Sequence, residues 1–548
     1  MTSIPRILAI CAVAALVPLL AAASSDPRPV VDAPAGAAKG LAEGDLQVFK
    51  GLPYAQPPVG SARWTPPKPM ARWQGVRDAG EFGPACIQPA AQTSGIYADR
   101  QLPTSEDFLR LNIWTPKGSR KAPVFVWIHG GSLAGGASNQ AMYDGARLAR
   151  RGLVVVSINY RLGVLGYLAH AGLSAESPKG VSGNYGLLDQ IEALRWIRRN
   201  IEAFGGDPGN VTVAGESAGG LSVLYLLAAP PARGLFAKAI AESSYMITTP
   251  QLKRAAFGLP SAESAGADLT RKLGGPSIAA LRAMDAQVLT DKAGPAGFQP
   301  FANIDGRVLT QQIVETLDKG QQAPVPVLAG FNQGEIRSLR VLAPQPPSSA
   351  SAYEGQIRRQ YGDLADAFLR LYPGADMEQS ILATTRDAMY AWTAERLVRK
   401  QAAIGQPAYL YEFDHGYPAA DEHGLHAFHA SELPYVFGTF DNLPAAWPKP
   451  PSTPEEQALS DAMVGYWSSF ARTGVPVAAG EPNWPDFANG QGYMHFAATP
   501  EASEHVLPGM YALNEEVVCR RRAAGNQAWN INVGLWSPPL PPPQPGCH

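Results

Sequence analysis

The amino-acid sequence predicts an α/β protein, with a mostly parallel twisted sheet covered by helices on both faces. Three observations carry that expectation. First, short apolar runs rich in β-branched or aromatic residues recur at 124–128, 153–158, 211–214, 326–330 and 409–413, each the length of a buried strand. Second, helical spacing separates them: it is present from Tyr143 to Arg151 and from Gly186 to Ala203, where Leu187, Ile191, Leu194, Ile197 and Ile201 would share one face, and it resumes at Leu221. Third, strands alternating with helices give a parallel sheet buried on both sides, and polar, glycine-rich segments follow several runs where the sites of such sheets gather.

Bulk composition narrows the class. The chain has 548 residues, 46% of them hydrophobic and 17% charged, with 55 Gly and 50 Pro, which describes a loop-rich globular protein and not a disordered or polytopic membrane chain. The net charge is −2, and no Lys/Arg-dense stripe with interleaved aromatics is present to neutralise a phosphate backbone, so nucleic acid is not an expected partner.

Arg6, the apolar run Ile7 to Leu20, and Ala21-Ala22-Ala23 have the pattern of a secretory leader, with residues 1–23 removed. The expected location is therefore secreted or periplasmic, without a stable membrane span. The remaining residues, 24–548, are expected to form a single domain with a Pro-rich C-terminal tail. The Pro/Ser stretch Ala343 to Ala352 also has the composition of a linker. Export leaves Cys86, Cys519 and Cys547, and pairing Cys519 with Cys547 would staple the tail to the body.

Gly215-Glu216-Ser217-Ala218-Gly219 fits the G-x-S-x-G elbow, in which a serine sits on a sharp strand-to-helix turn. Glycines let the turn tighten and leave the hydroxyl exposed at the head of the next helix, whose N-terminus favours developing negative charge. His129-Gly130-Gly131-Ser132 follows the 124–128 run as an oxyanion loop would. The expected donors are the N–H groups of Gly131, Ser132 and Ala218.

Longer motifs resemble the type-B carboxylesterases, the family that includes acetylcholinesterase and bacterial para-nitrobenzyl esterases. They are Gly51-Leu52-Pro53-Tyr54-Ala55; Glu106-Asp107 with Leu109 and Leu111-Asn112-Ile113-Trp114; Asn159-Tyr160-Arg161-Leu162-Gly163; Asn184-Tyr185-Gly186-Leu187-Leu188-Asp189-Gln190; and Phe204-Gly205-Gly206-Asp207-Pro208. The resemblance runs from about Gly51 to Gly438. It implies the α/β-hydrolase fold with long loop and helix insertions forming a gorge, and hydrolysis of small-molecule carboxylic esters without a cofactor or metal.

The same resemblance implies which acid and which histidine join Ser217. The family's Gly-x-Asn-x-x-Glu segment is Gly330-Phe331-Asn332-Gln333-Gly334-Glu335, so Glu335 is the acid; Gly334 and Ile336 stand where Asp and Gly are usual. Its histidine opens His429-Ala430-Ser431-Glu432-Leu433-Pro434-Tyr435-Val436-Phe437-Gly438, making His429 the general base. Glu216 and Ser243 are expected to support these three from behind, Ser243 by bracing the acid. The chain order Ser217, Glu335, His429 is that of the fold. His423, His426 and His429 also have the spacing of helix-borne metal ligands, but no Cys or compact carboxylate cluster joins them.

Serine attack with a neutral histidine as base predicts that activity falls below a pKa of about 6 to 7. Two departures bear on substrate. Phe108 stands at the partner position of the cysteine in Cys86-Ile87-Gln88, so that loop should lack its staple. No tryptophan lies between Trp73 and Trp114, where Tyr97 and Ala98 are found; the cation-π platform of the cholinesterases is missing there, and a choline ester is disfavoured.

Overall fold

The computed structural model describes residues 28–90, 95–530 and 532–547; the leader expected at 1–23 lies outside the described residues. Eleven strands form one sheet, in the order Pro500–Glu504, Gly492–Phe496, Ala408–Phe413, Val327–Asn332, Lys238–Glu242, Gly206–Glu216, Ala122–Ile128, Val154–Ile158, Arg110–Pro116, Leu46–Pro53 and Leu41–Glu43. The strands from Gly492–Phe496 through Val154–Ile158 run parallel. Antiparallel pairs complete both ends.

The strands read from apolar runs are all present, and side-chain alternation explains why both faces are covered. Along Ala122–Ile128, Val124, Val126 and Ile128 enter one apolar core while Phe125 and Trp127 enter the other, as the period of two requires. Helices Tyr185–Asn200, Ala218–Ala228 and Trp392–Ala403 supply residues to the first core; Ala146–Arg150 and Pro454–Thr473 supply the second. This is the α/β-hydrolase architecture.

The Ala343 to Ala352 stretch leads directly into helix Ala350–Tyr361. The Ser349 hydroxyl accepts from Ala352 N at 3.1 Å as its N-cap, and Tyr353, Ile357 and Tyr361 enter the first core. At one edge of the sheet, Pro500–Glu504 begins with a proline and exposes Glu501 and Glu504.

Cys519, on helix Met510–Ala524, is bonded to Cys547 across 28 residues, and Cys86 is free and buried. Between the two half-cystines the chain is held by hydrogen bonds from the Gln356 and Gln360 side chains to Leu535 O, at 2.8 and 2.7 Å. The buried Arg521 guanidinium adds bonds to Trp529 O (3.0 Å) and Ser537 Oγ (2.7 Å). Cys519→Ser is expected to lower stability by up to about 3.5 kcal/mol, the loop-closure value for a loop of this size. Thermal unfolding of wild type and variant, with and without reductant, measures it; the variant should be insensitive to reductant.

Candidate active site

Ser217 is the residue between strand Gly206–Glu216 and helix Ala218–Ala228, at φ 57°, ψ −120°, a region side chains rarely occupy. The strain is held by close packing on both sides. A Cβ on Gly215 would lie 2.6 Å from the Gly219 main chain and 2.8 Å from Ile128 O, and one on Gly219 would run into the Ile128 carbonyl. Ser217 N donates to Glu242 O of the neighbouring strand at 3.0 Å.

The segment after strand Ala122–Ile128 lies against this elbow. A Cβ on Gly130 would come within 3.2 Å of the Ser217 Cβ. Gly131, Ser132 and Leu133 take φ of 104°, 56° and 57°, and the Gly131 carbonyl accepts from Ala134 N (3.0 Å) and Gly135 N (2.9 Å). Among the described residues, the N–H groups of Gly131, Ser132 and Ala218 have no hydrogen-bond acceptor. His129, whose carbonyl accepts from Tyr160 OH at 2.7 Å, is held neutral by burial, its pKa lowered to about 4.

Glu335 and His429 come from separate segments that are laced together. Gly334 N donates to Ala427 O at 2.8 Å. The Asn332 side-chain amide donates to Phe428 O (2.8 Å) and to the Glu432 carboxylate (2.5 Å). A Cβ on Gly334 would lie 2.7 Å from Leu425 O and 2.8 Å from Ala427 O, so this close approach accounts for glycine where the family usually has Asp. Glu335 Oε1 accepts from Asn332 N at 2.9 Å, and Oε2 pairs with His429 Nδ1.

The other ring nitrogen, His429 Nε2, lies 3.0 Å from Glu216 Oε1, on the residue preceding Ser217. The Ser217 hydroxyl has no hydrogen-bond partner among the described residues. Burial disfavours the His429 cation, but Glu216 and Glu335 outweigh it and raise the pKa to about 9. This direction is upward from the value of 6 to 7 expected for a histidine without such neighbours. Burial raises Glu216 to about 7, with His429 opposing and Glu335 reinforcing the shift. Burial also raises Glu242, to about 8, and Glu432; Trp467 Nε1 donates to Glu242 at 2.7 Å.

Thus Ser217, Glu335, His429, Glu216 and the three amides are brought together. Ser243 is not joined to the acid: its hydroxyl is buried without a partner, and Asn332 N makes the contact expected of it. The three histidines also separate. His423 Nδ1 faces Ala419 O at 2.8 Å, and His426 lies between Asp414 (2.8 Å) and Asp421 (3.1 Å). Sequence motifs gave no role to Tyr97, whose hydroxyl donates to His429 O at 2.8 Å and whose ring meets the Trp447 ring edge-on at 5.8 Å. Nor did they single out Asn332, Glu242 or Trp467 individually. Their roles come from contacts across 96 or more residues, although Asn332 stood inside a recognisable segment.

With its serine held this way at the carboxyl end of a parallel sheet, the chain has the architecture of a serine hydrolase of carboxylic esters. It belongs to the carboxylesterase family, whose sequence model matches residues 27–512. It is 38% identical to the fumonisin B1 esterase of Sphingopyxis macrogoltabida over 88% of this chain and 89% of that one. Identity to the para-nitrobenzyl esterase of Bacillus subtilis (strain 168) is 36%, over 82% and 91%. Among solved structures, a carboxylesterase of Geobacillus stearothermophilus aligns with a TM-score of 0.75 and 33% identity, covering 89% of this chain and 100% of that one.

Asn332→Ala removes both side-chain bonds that tie the Glu335 turn to the His429 segment. The expected result is a fall in kcat/KM of about 100-fold, the scale of a small misplacement of reacting groups, with a near-native circular dichroism spectrum. Steady-state kinetics on a p-nitrophenyl ester, alongside that spectrum, checks it.

Proposed function

We propose that Ser217 is the nucleophile, His429 the general base and Glu335 the acid that orients it, with the N–H groups of Gly131, Ser132 and Ala218 receiving the oxyanion. The observation that carries this reading is the Glu335–His429 pair, whose free nitrogen ends 3.0 Å from the residue before a serine held at φ 57°.

Ser217 Oγ attacks the ester carbonyl and gives its proton to His429 Nε2; Glu335 stabilises the imidazolium; the alcohol leaves with that proton, and water hydrolyses the acyl-enzyme by the same route. In the resting protein Nε2 faces Glu216, so attack requires the imidazole to exchange that carboxylate for the Ser217 hydroxyl. Glu216 thereby holds the base protonated to higher pH while remaining behind the cation formed during turnover.

Relatives named for substrates as different as fumonisin B1 and a para-nitrobenzyl ester match at 38% and 36% identity, which supports a broad range of small-molecule esters. The leader pattern and the Cys519–Cys547 bond support an exported protein, secreted or periplasmic, acting as one domain from residue 24 onward. Among the described residues no helix is long and apolar enough to cross a membrane.

Ser217→Ala should reduce kcat by about 10⁴-fold or more and abolish labelling by an organophosphate; retained turnover defeats the assignment. Because the base must be neutral, activity is lost as pH falls through the His429 pKa. Since that pKa is raised, the acid limb should lie above the ordinary histidine range. Glu216→Gln removes one of the two raising charges and should move the limb to lower pH in a kcat/KM profile, whereas an unmoved limb separates Glu216 from the base.

A further inference from the structure

Two phenols near the site have no assigned work, one beside the His429 imidazole and the other beside the first. Tyr245 lies in the loop after strand Lys238–Glu242, whose last residue pairs with Glu216, so it emerges at the same sheet end as Ser217. Tyr390 lies in Asp387–Ala391, a π-helical interruption between helices Met377–Arg386 and Trp392–Ala403; such insertions concentrate at functional sites because they re-aim side chains at a cost in regular bonding. The Tyr390 ring is 5.4 Å from the His429 ring and meets the Tyr245 ring edge-on at 6.0 Å.

Both residues are at least nine-tenths buried, at 9% exposure for Tyr245 and 2% for Tyr390. Neither hydroxyl has a hydrogen-bond partner among the described residues. Nearby phenols behave differently: Tyr97 donates to His429 O and Tyr160 to His129 O, as buried tyrosines normally do. Tyr225 and Tyr411 also lack partners, but their oxygens are fully enclosed in the interior. Burial raises the pKa of both Tyr245 and Tyr390, and Glu216 reinforces both shifts, so each hydroxyl remains a proton donor at any working pH.

We propose that Tyr245 and Tyr390 are specificity-determining residues that donate hydrogen bonds to a second oxygen acceptor on the substrate, close to the scissile ester. The substrate class is therefore the oxygen-substituted ester, bearing a hydroxyl, ether or carbonyl near the reacting carbonyl, in preference to the plain alkyl ester of equal shape. A site with unpaired buried donors discriminates in this direction, because an apolar substrate leaves both donors desolvated and unmatched. This inference rests on the Ser217 reading proposed above.

The test compares isosteric pairs that differ by one oxygen for one methylene. For the acid side, kcat/KM is measured for p-nitrophenyl methoxyacetate and p-nitrophenyl butyrate; for the alcohol side, for 2-methoxyethyl butyrate and butyl butyrate. The wild type, Tyr245→Phe, Tyr390→Phe and the double variant are each assayed, and the oxygen-to-methylene ratio is compared between proteins, which cancels intrinsic reactivity. A ratio about tenfold lower in a phenylalanine variant, the worth of one such bond, supports the proposal, and the pair that shows it tells whether the acceptor is on the acid or the alcohol. An unchanged ratio in both pairs and all variants overturns it. So does an equal loss on all four esters, which would mean that the hydroxyls only position His429. Failure of the underlying reading shows separately, as turnover by Ser217→Ala.

Discussion

The contact between the Glu335 carboxylate and the His429 imidazole is the interaction on which the rest of the site depends. Both groups are removed from water, and a buried charged pair is sustained only when its remaining lone pairs and protons are also satisfied. The second Glu335 oxygen has the Asn332 main-chain N–H, and the second imidazole nitrogen lies 3.0 Å from the Glu216 carboxylate, a charge contact without hydrogen-bond geometry. The pair is therefore the middle of a chain of contacts running from the end of strand Val327–Asn332 to the end of strand Gly206–Glu216. Burial, reinforced by neighbouring carboxylates, raises the pKa of Glu242 and Glu432, while Glu216 and Glu335 keep the proton on the imidazole.

Backbone packing enforces that chain. The turn carrying Ser217, the loop carrying the free amides and the turn carrying Glu335 each contain a glycine whose added Cβ would strike main chain from the adjoining segment: Gly219 on Ile128, Gly131 on Gly135, and Gly334 on Ala427. Close approach of main chain to main chain leaves little freedom for the segments to drift, and rigid positioning is what converts binding into rate.

Much of this was legible in the sequence because it is local. The strands were marked by β-branched runs, and the elbow, amide loop and acid turn each occupy a few consecutive residues after a run. Edges were harder to read. Strand Gly206–Glu216 starts earlier than Val211 because Gly206 pairs with Ala122 beyond a register shift, which Pro208 and Gly209 disguise as a turn. The helix read as far as Ala203 changes winding at Ile201 and stops at Gly205, φ 86°. The helix read from Tyr143 begins only at Ala146. Within the site, the upward shift at His429 could not be foreseen from an isolated histidine, since it arises from Glu216 and Glu335, 213 and 94 residues away in the chain. The π-helical turn under Tyr390 has no sequence signature at all.

The edge strand Pro500–Glu504 has a consequence beyond the site. An open edge of a broad sheet offers unsatisfied amides and carbonyls to any second strand that passes. Here the strand is short, its first residue has no N–H to donate, and Glu501 and Glu504 confront a second copy with like charge. Continuous β-stacking of chains through this border is disfavoured by construction.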